Sequence, residues 1–407
     1  MNILNYLWGL LGIITVLAIA FLLSSNRKSI KLRTVLGGLA IQFIFAFIVL
    51  KWETGRNILQ KVSMGVQNVI DYANEGVNFL FGGIFQAENI GMVFAFQVLP
   101  VVIFFSSLIS VLYYLGIMQW VIKILGGGLS KLLGTSNAES LSAAANIFVG
   151  QTEAPLVIKP YIKILTKSEL FAVMVGGLAS VAGSVLIGYS LMGVPLEYLL
   201  AASFMAAPAG LVLAKVMMPE TEVPKDTSKL KMEDDKEAAN VIDAAANGAS
   251  VGLQLALNIG AMLLAFIALI ALINGIIGGI SGLFGLEGIT LEVILGYLFS
   301  PIAFAVGVPW AEAVQAGGYI GQKLILNEFV AYASFAPQIP ELSEKTVAVV
   351  SFALCGFANV SSLGILLGGL GNLAPERRSD IARMGVRAVA AGMLASLLSA
   401  AIAGMLF

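Results

Sequence analysis

LSAAANIFVGQTEAPLVIKPYI, residues Leu141–Ile162, is apolar at both ends and broken in the middle by Gly150-Gln151-Thr152-Glu153-Ala154-Pro155. A second stretch, VILGYLFSPIAFAVGVPWAEAVQAGG, residues Val293–Gly318, is broken in the same way by Gly307-Val308-Pro309-Trp310-Ala311-Glu312. In each, glycine and proline surround a carboxylate in mid-run. Each half is too short to cross a hydrocarbon layer of about 30 Å at about 1.5 Å per residue. Irregular backbone at membrane depth survives only where protein buries it, so both stretches read as re-entrant hairpins with their tips inside the molecule.

The rest of the chain supplies the membrane context. Of 407 residues, 58% are hydrophobic and only 12% charged, against a usual charged share of about 25%. So few charges cannot cover a soluble surface of this size, and the chain reads as a multi-pass membrane protein. It has no histidine, which excludes imidazole chemistry, and its one cysteine, Cys355, forms no internal disulfide. The net charge of −1 offers no basic field to nucleic acid, and no phosphate-binding loop of the G-x-x-x-x-G-K-[ST] type occurs.

Charge-free runs place the spans. Residues 1–26 carry no charge and no basic leader, so they read as a first span rather than a cleaved signal. Arg27, Lys28, Lys31 and Arg33 follow and put that loop inside. Further runs lie at Thr34–Leu50, at Asn89–Ile122 (ending in Gly126-Gly127-Gly128), at Leu170–Leu196, at Tyr198–Ala214, at Thr346–Pro375 and at Ala388–Phe407. Ala244–Leu286 is long enough for a span plus an interfacial piece. Residues 51–88 are mixed and amphipathic and read as an interfacial helix. The polar segment between Val216 and Asp243 reads as a connecting loop. Eight spans fit the charges, with the loops after spans one, five and seven inside and both termini outside.

The two halves repeat. After the first hairpin comes Gly177-Leu178-Ala179-Ser180-Val181; after the second comes Gly356-Phe357-Ala358-Asn359-Val360. Hairpin, broken helix and final helix therefore occur twice, and paired interrupted segments point to a transporter's central site.

Several polar residues fall at these breaks. Glu153, with Gln151 and Thr152, suits a heterocyclic amide edge; its structural alternative is a cap or a pair with Lys159. Glu328, in Asn327-Glu328-Phe329-Val330-Ala331-Tyr332, suits two neighbouring hydroxyls such as those of a ribose, or else ends a helix in the headgroup zone. Asn359, Ser361 and Ser362 lie in the break of the seventh span, where they either complete a site or re-satisfy a kinked helix. Phe357 is either core or a stacking surface. Asn146 and Val149, three apart before Gly150, offer with Ser180 the neutral oxygens of a hard-cation site suited to Na⁺, or ordinary capping. Thr166-Lys167-Ser168-Glu169 is a capping box. Glu312 is the second hairpin's counterpart of Glu153 and has no evident partner. Gly275 and Gly279 form a G-x-x-x-G that fits loose packing as well as a dimer face.

GQTEAPL, NEFVAY and CGFANVSS, in this order, resemble motifs of the concentrative nucleoside transporters, and SSNRKSIKLRT, SELFAVM, AASFMAAP and NVIDAAANGA resemble the bacterial sodium-coupled members. The resemblance covers nearly the whole chain. It implies an all-α membrane fold of eight transmembrane helices with two re-entrant hairpins, interfacial helices and an inverted repeat. It also implies a homotrimer in the bacterial cytoplasmic (inner) membrane, in which a scaffold part holds a transport part that moves like an elevator. On this reading residues 1–135 are scaffold spans one to three with interfacial helices. Residues 136–218 are the first transport repeat, 219–247 a cytoplasmic loop, 248–288 scaffold span six with an interfacial helix, and 289–407 the second transport repeat. The resemblance implies that Gln151, Thr152 and Glu153 contact the nucleobase and that Phe357 packs against it. It implies that Glu328, Asn359 and Ser362 bind the ribose hydroxyls, and that Asn146, Ser180 and the carbonyls of Val149 and Val181 hold Na⁺. No cofactor is implied beyond Na⁺ as coupling ion. The partners are nucleoside, Na⁺, membrane lipid and further copies of the chain, with pyrimidine nucleosides such as uridine favoured and adenosine accepted.

Three other readings compete with this one. A proton-coupled symporter would use the same carboxylates. An intramembrane enzyme acting on lipid phosphates should place an arginine at its hairpins, yet none occurs between Arg56 and Arg377. A passive channel should repeat a ring or carbonyl filter, which this sequence does not.

Overall fold

The computed structural model describes residues 3–85, 93–225, 238–286 and 288–407, all helix and connecting loop. The middle of the 219–247 loop, residues 226–237, and the end of the 51–88 segment lie outside the described residues.

The first span, α1 (Ile3–Leu22), ends where arginines reach its last carbonyls: Arg27 donates to Phe21 and Leu22, and Arg387 to Leu23. The basic residues that orient the chain therefore also cap this helix. The second span, α2 (Leu32–Leu50), turns sharply into α3 (Glu53–Phe85). Along α3, Leu59, Ile70, Ala73 and Val77 make one narrow buried stripe, as an amphipathic surface helix requires. A short α4 (Phe94–Gln97) leads into α5 (Leu99–Tyr114), and the chain turns at Gly116 (φ +78°) into α6 (Ile117–Leu133). Here the sequence expectation needs correcting. The third span ends at Tyr114, not at the glycine triplet; Gly126–Gly128 lie within α6, where Gly126 meets the backbone of Leu141.

The first hairpin is α7 (Asn137–Ala145), a break, and a 3-10 arm over Ala154–Ile164 that carries Pro155 and Pro160. The following span is divided into α8 (Lys167–Ala179) and α9 (Gly183–Leu191), and α10 (Leu196–Met217) closes the repeat. The expected capping box of Thr166 with Glu169 is present, and Ser136 with Glu139 forms a second reciprocal box. Lys215 of α10 joins them, pairing with Glu139 at 2.6 Å and donating to Ser168 at 2.9 Å.

Ala244–Leu286 forms no separate interfacial piece: α11 (Val241–Leu283) is one helix of 43 residues, lying along α5 with Gly248 and Gly252 against Ser106–Ser110. The second hairpin pairs α12 (Leu291–Ala305) with α13 (Trp310–Ile325) across a 115° bend, with Gly307 at φ +115° in the turn. Then come α14 (Glu328–Phe335), α15 (Glu344–Leu354), a break, α16 (Ser362–Gly368), α17 (Leu370–Leu373) and α18 (Arg378–Met405).

Among the described residues, seven helices are long and apolar enough to cross a membrane. The remaining expected span is the broken α15–α16. Burial divides the spans into two classes. The windows of α8–α9, α10 and α18 are 94%, 89% and 89% buried, whereas those of α1, α2, α5 and α11 are 22–28% buried. The two repeats thus form the inner body, and the other spans leave broad apolar faces outward.

Candidate functional site

At the first break α7 ends at Ala145, and the chain folds back on itself. The Gly150 amide donates to Glu153 Oε2 at 3.1 Å, so Glu153 closes its own loop rather than pairing with Lys159, which is exposed. Glu153 lines a cavity of about 320 Å³ together with Val149, Tyr113, Gln119, Ser184 and Asn247, between the hairpin and α5–α11. Gln151 is buried against α8. Gly177 is required there, because a Cβ on it would lie 2.7 Å from the Gln151 Cβ. Thr152 is exposed and turns its methyl toward Gly369 of the second repeat.

Asn146 packs on the same face of α8. Its Nδ2 donates to the Ser142 carbonyl at 2.9 Å, but its Oδ1, like the Oε1 of Gln151, is buried without a hydrogen-bond partner. Such an orphaned acceptor costs about 1–3 kcal/mol unless something fills its lone pairs. Among the described residues, the carbonyls of Val149 and Val181 also accept no hydrogen bond. Ser180 donates to the Gly176 carbonyl at 3.0 Å and keeps its oxygen lone pairs free. Four neutral oxygens, two at the hairpin break and two where α8 gives way to α9, all with unused acceptor capacity, fit a hard monovalent cation. The Gly183 amide ties these two places together by donating to the Phe148 carbonyl at 2.9 Å. They form no carboxylate cluster of the kind that holds a divalent metal.

The second break is more tightly bonded. Asn327 caps α14 by accepting from the Val330 amide at 2.9 Å, which sets Glu328 at the positive end of that helix. Each Glu328 oxygen has one protein donor: the Tyr189 hydroxyl at 3.2 Å and the Asn359 amide at 3.0 Å. Asn359 Oδ1 in turn accepts from the Ser362 amide at 2.9 Å and the Ser361 hydroxyl at 2.7 Å. Ser362 Oγ donates to the Phe357 carbonyl at 2.5 Å. Glu328, Asn359 and Ser362 are all nearly fully buried. An ionised carboxylate has about four acceptor sites, so Glu328 retains capacity for two further donors.

The two breaks touch. The Phe357 amide donates to the Ser180 carbonyl at 3.1 Å, joining the repeated segments at equivalent depth. A Cβ on Gly356 would stand 3.0 Å from the Ala179 carbonyl oxygen and 2.6 Å from Ser396 Oγ, so this crossing also needs glycine. The structure therefore brings Glu328, Asn359 and Ser362 into one hydrogen-bonded cluster and puts Asn146, Gln151 and Ser180 on one face of α8. It leaves Glu153 half-buried in the cavity between the hairpin and α5–α11, and Thr152 exposed beside Gly369. Phe357, half-buried, lies where the two breaks join.

Glu312 is not part of this assembly. It accepts from the amide and hydroxyl of Ser343, tying the second hairpin to the start of α15. Gly275 and Gly279 approach nothing within the chain. Sequence reasoning missed Tyr189, which stacks on Tyr332 at 4.3 Å while bonding Glu328. It also missed Lys323, fully buried on α13. Tyr189 carries no local signal in its apolar run. Lys323 did have one: it is the first basic residue after a stretch from Ala244 that holds none.

Three family descriptions match in order along the chain. They are Na⁺ dependent nucleoside transporter N-terminus over residues 11–84, nucleoside recognition over 95–196, and Na⁺ dependent nucleoside transporter C-terminus over 198–404. The nucleoside permease NupC of Helicobacter pylori is 50% identical over 99% of this chain and 98% of its own length. The sodium/nucleoside cotransporter 2 of Rattus norvegicus is 39% identical over 97% of this chain and 62% of its own length. Among solved structures, CNTnw in an inward-facing substrate-bound state is 56% identical, covers 98% of both chains and superposes with a TM-score of 0.93. A variant of CNTnw in an outward-facing state gives 0.96 at the same identity over 100% of this chain and 98% of that one. These relatives are transporters rather than enzymes, and this chain, with its bacterial permease relatives, is a multi-pass protein of the cytoplasmic (inner) membrane. The chain belongs to the Na⁺-dependent nucleoside transporter family, the concentrative nucleoside transporters.

Proposed function

We propose that the chain is a sodium-coupled secondary active importer of nucleosides, with pyrimidine nucleosides such as uridine favoured and adenosine accepted. The observation that carries this reading is the set of unused buried oxygens at the hairpin break and the adjoining α8–α9 break (Asn146 Oδ1 and the Val149 and Val181 carbonyls), beside the Ser180 carbonyl that accepts from the Phe357 amide of the second repeat. A sodium ion there satisfies oxygens that the protein leaves unpaired. It also stiffens the junction on which the nucleoside contacts are built, which gives a physical route for the ion to raise nucleoside affinity.

In this reading Gln151, Thr152 and Glu153 contact the base, and Phe357 packs against it. Glu328, Asn359 and Ser362 take the ribose hydroxyls, Glu328 through its two free acceptor positions. The coupled energetics suffice. One charge crossing about 100 mV supplies about 2.3 kcal/mol, and a tenfold sodium gradient adds about 1.4 kcal/mol, enough for a nucleoside gradient of roughly a few hundredfold.

We also read residues 1–135 and 248–288 as scaffold, and 136–218 and 289–407 as the transport part that carries the site across the membrane in an elevator motion. The division between buried repeats and outward apolar spans supports that partition, and the outward faces suit lipid and the neighbouring copies of a homotrimer. The test of the site is equilibrium binding of radiolabelled uridine to the purified protein in sodium chloride against choline chloride. The reading expects binding that sodium strengthens. Sodium-independent binding strengthened by acid instead would move the coupling to protons.

A further inference from the structure

Lys323 is an unusual residue for its place. It is fully buried, and among the described residues no carboxylate lies within ion-pair distance of it. Its Nζ donates to the Ala353 carbonyl at 2.8 Å and to Ser396 Oγ at 3.0 Å. Ser396, on α18, donates onward to the Cys355 carbonyl at 3.3 Å. The next residue along α13, Leu324, accepts from the Val360 amide at 3.1 Å. Residues 323 and 324 therefore hold the second break from both sides: Ala353 and Cys355 where α15 ends, Val360 just before α16 begins.

An unpaired ammonium inside a membrane protein is costly, and this one does not reach water, so a snorkelling role is ruled out. What it does reach is the carbonyl end of a broken helix, where the backbone dipoles favour a cation. The two repeats differ here in an informative way. At the first break the helix-end oxygens have no cationic donor from the chain. At the second break the chain supplies one.

We propose that Lys323 is a positioning residue of the nucleoside site. Its ammonium acts as a tethered cation at the end of α15 and so fixes the break that carries Phe357, Asn359 and Ser362. The proposal rests on the functional reading above and adds to it that charge, not filler volume, is what the second repeat needs from this side chain.

The test separates charge from volume. Lys323→Ala removes the atoms from Cγ to Nζ. n-Propylammonium restores those atoms with the charge, and propan-1-ol restores their shape without it. The readout is equilibrium binding of radiolabelled uridine to purified protein in sodium chloride. Lys323→Ala is expected to bind uridine about tenfold or more weakly, the scale of a lost charged hydrogen bond. Propylammonium is expected to recover most of that loss, propan-1-ol little of it, and wild type to respond to neither. Ser396→Ala keeps the lysine but removes one of its two acceptors, and is expected to weaken binding by about threefold or more. It decides the matter if Lys323→Ala does not purify as a monodisperse protein. Affinity within about twofold of wild type in the variant that decides, or equal rescue by the alcohol, overturns the proposal. Absence of nucleoside binding by wild type itself overturns the functional reading, and this inference with it.

Discussion

Two side chains, Glu328 and Asn146, carry most of the proposed chemistry, and each has a separable test. Glu328 accepts from Tyr189 and Asn359, so Glu328→Gln removes the charge and one of the two acceptor oxygens while the remaining partners can still be satisfied. We expect uptake to fall by about a hundredfold or more in a protein that still folds, because the ribose hydroxyls lose a charged acceptor worth about 1.5–3 kcal/mol per hydrogen bond. Uptake near the wild-type rate would remove Glu328 from the site. Asn146→Ala deletes an unpaired buried oxygen, so it should raise the sodium concentration for half-maximal uptake by about tenfold while costing little stability. An unchanged sodium curve would clear Asn146 of the ion site. The residues at the breaks were legible because a carboxylate or amide in an apolar run stands out. Tyr189 was not, since an aromatic in an apolar helix looks like core until the fold sets its hydroxyl against Glu328. Glu312 misled for the opposite reason: its sequence context matches Glu153, but its partner, Ser343, lies 31 residues away and appears only in three dimensions.

At the scale of elements, glycine and proline gave the hairpins and the broken helices, because no side chain compensates for backbone that must bend or approach closely. Gly356→Val tests this directly. Its side chain would meet Ser396 Oγ and the Ala179 carbonyl, so it should lower thermal stability by about 1–3 kcal/mol and weaken nucleoside binding, as measured by thermal unfolding and uridine binding on one preparation. Unaltered stability would mean that the two breaks are not packed as described. Other element features were not legible. The third span's end depends on Gly116 adopting a left-handed conformation, and a hydropathy run does not show which of several glycines turns the chain. The continuity of α11 was hidden because a long apolar helix and a span followed by a surface piece have the same composition. The 3-10 form of the first hairpin's second arm follows from Pro155 and Pro160, whose missing amides weaken an α-helical ladder.

At the scale of the molecule, the account separates an inner body of two repeats from outward-facing spans. α5 meets α9 where a Cβ on Gly188 would lie 3.6 Å from Val98 Cγ1. If the repeats move against α5, then cross-linking Val98→Cys to Gly188→Cys should stop uptake, and reduction should restore it. Uptake that continues with the link intact would contradict the elevator motion while leaving the site untouched. Seven of the spans were readable from charge and hydropathy, and the repeat from the matching glycine-broken segments after each hairpin. How the breaks meet was not, because the bond from Phe357 to Ser180 joins residues 177 positions apart and no local pattern encodes it.

The central claim is that sodium entry drives nucleoside accumulation. The measurement that tests it most directly is uptake of radiolabelled uridine into proteoliposomes under an inward sodium gradient, with a potassium gradient as control. The account predicts accumulation above the external concentration that collapses when sodium is removed or its gradient dissipated. Uridine that only equilibrates, at the same rate in sodium and potassium, would contradict it and make the protein an uncoupled nucleoside carrier.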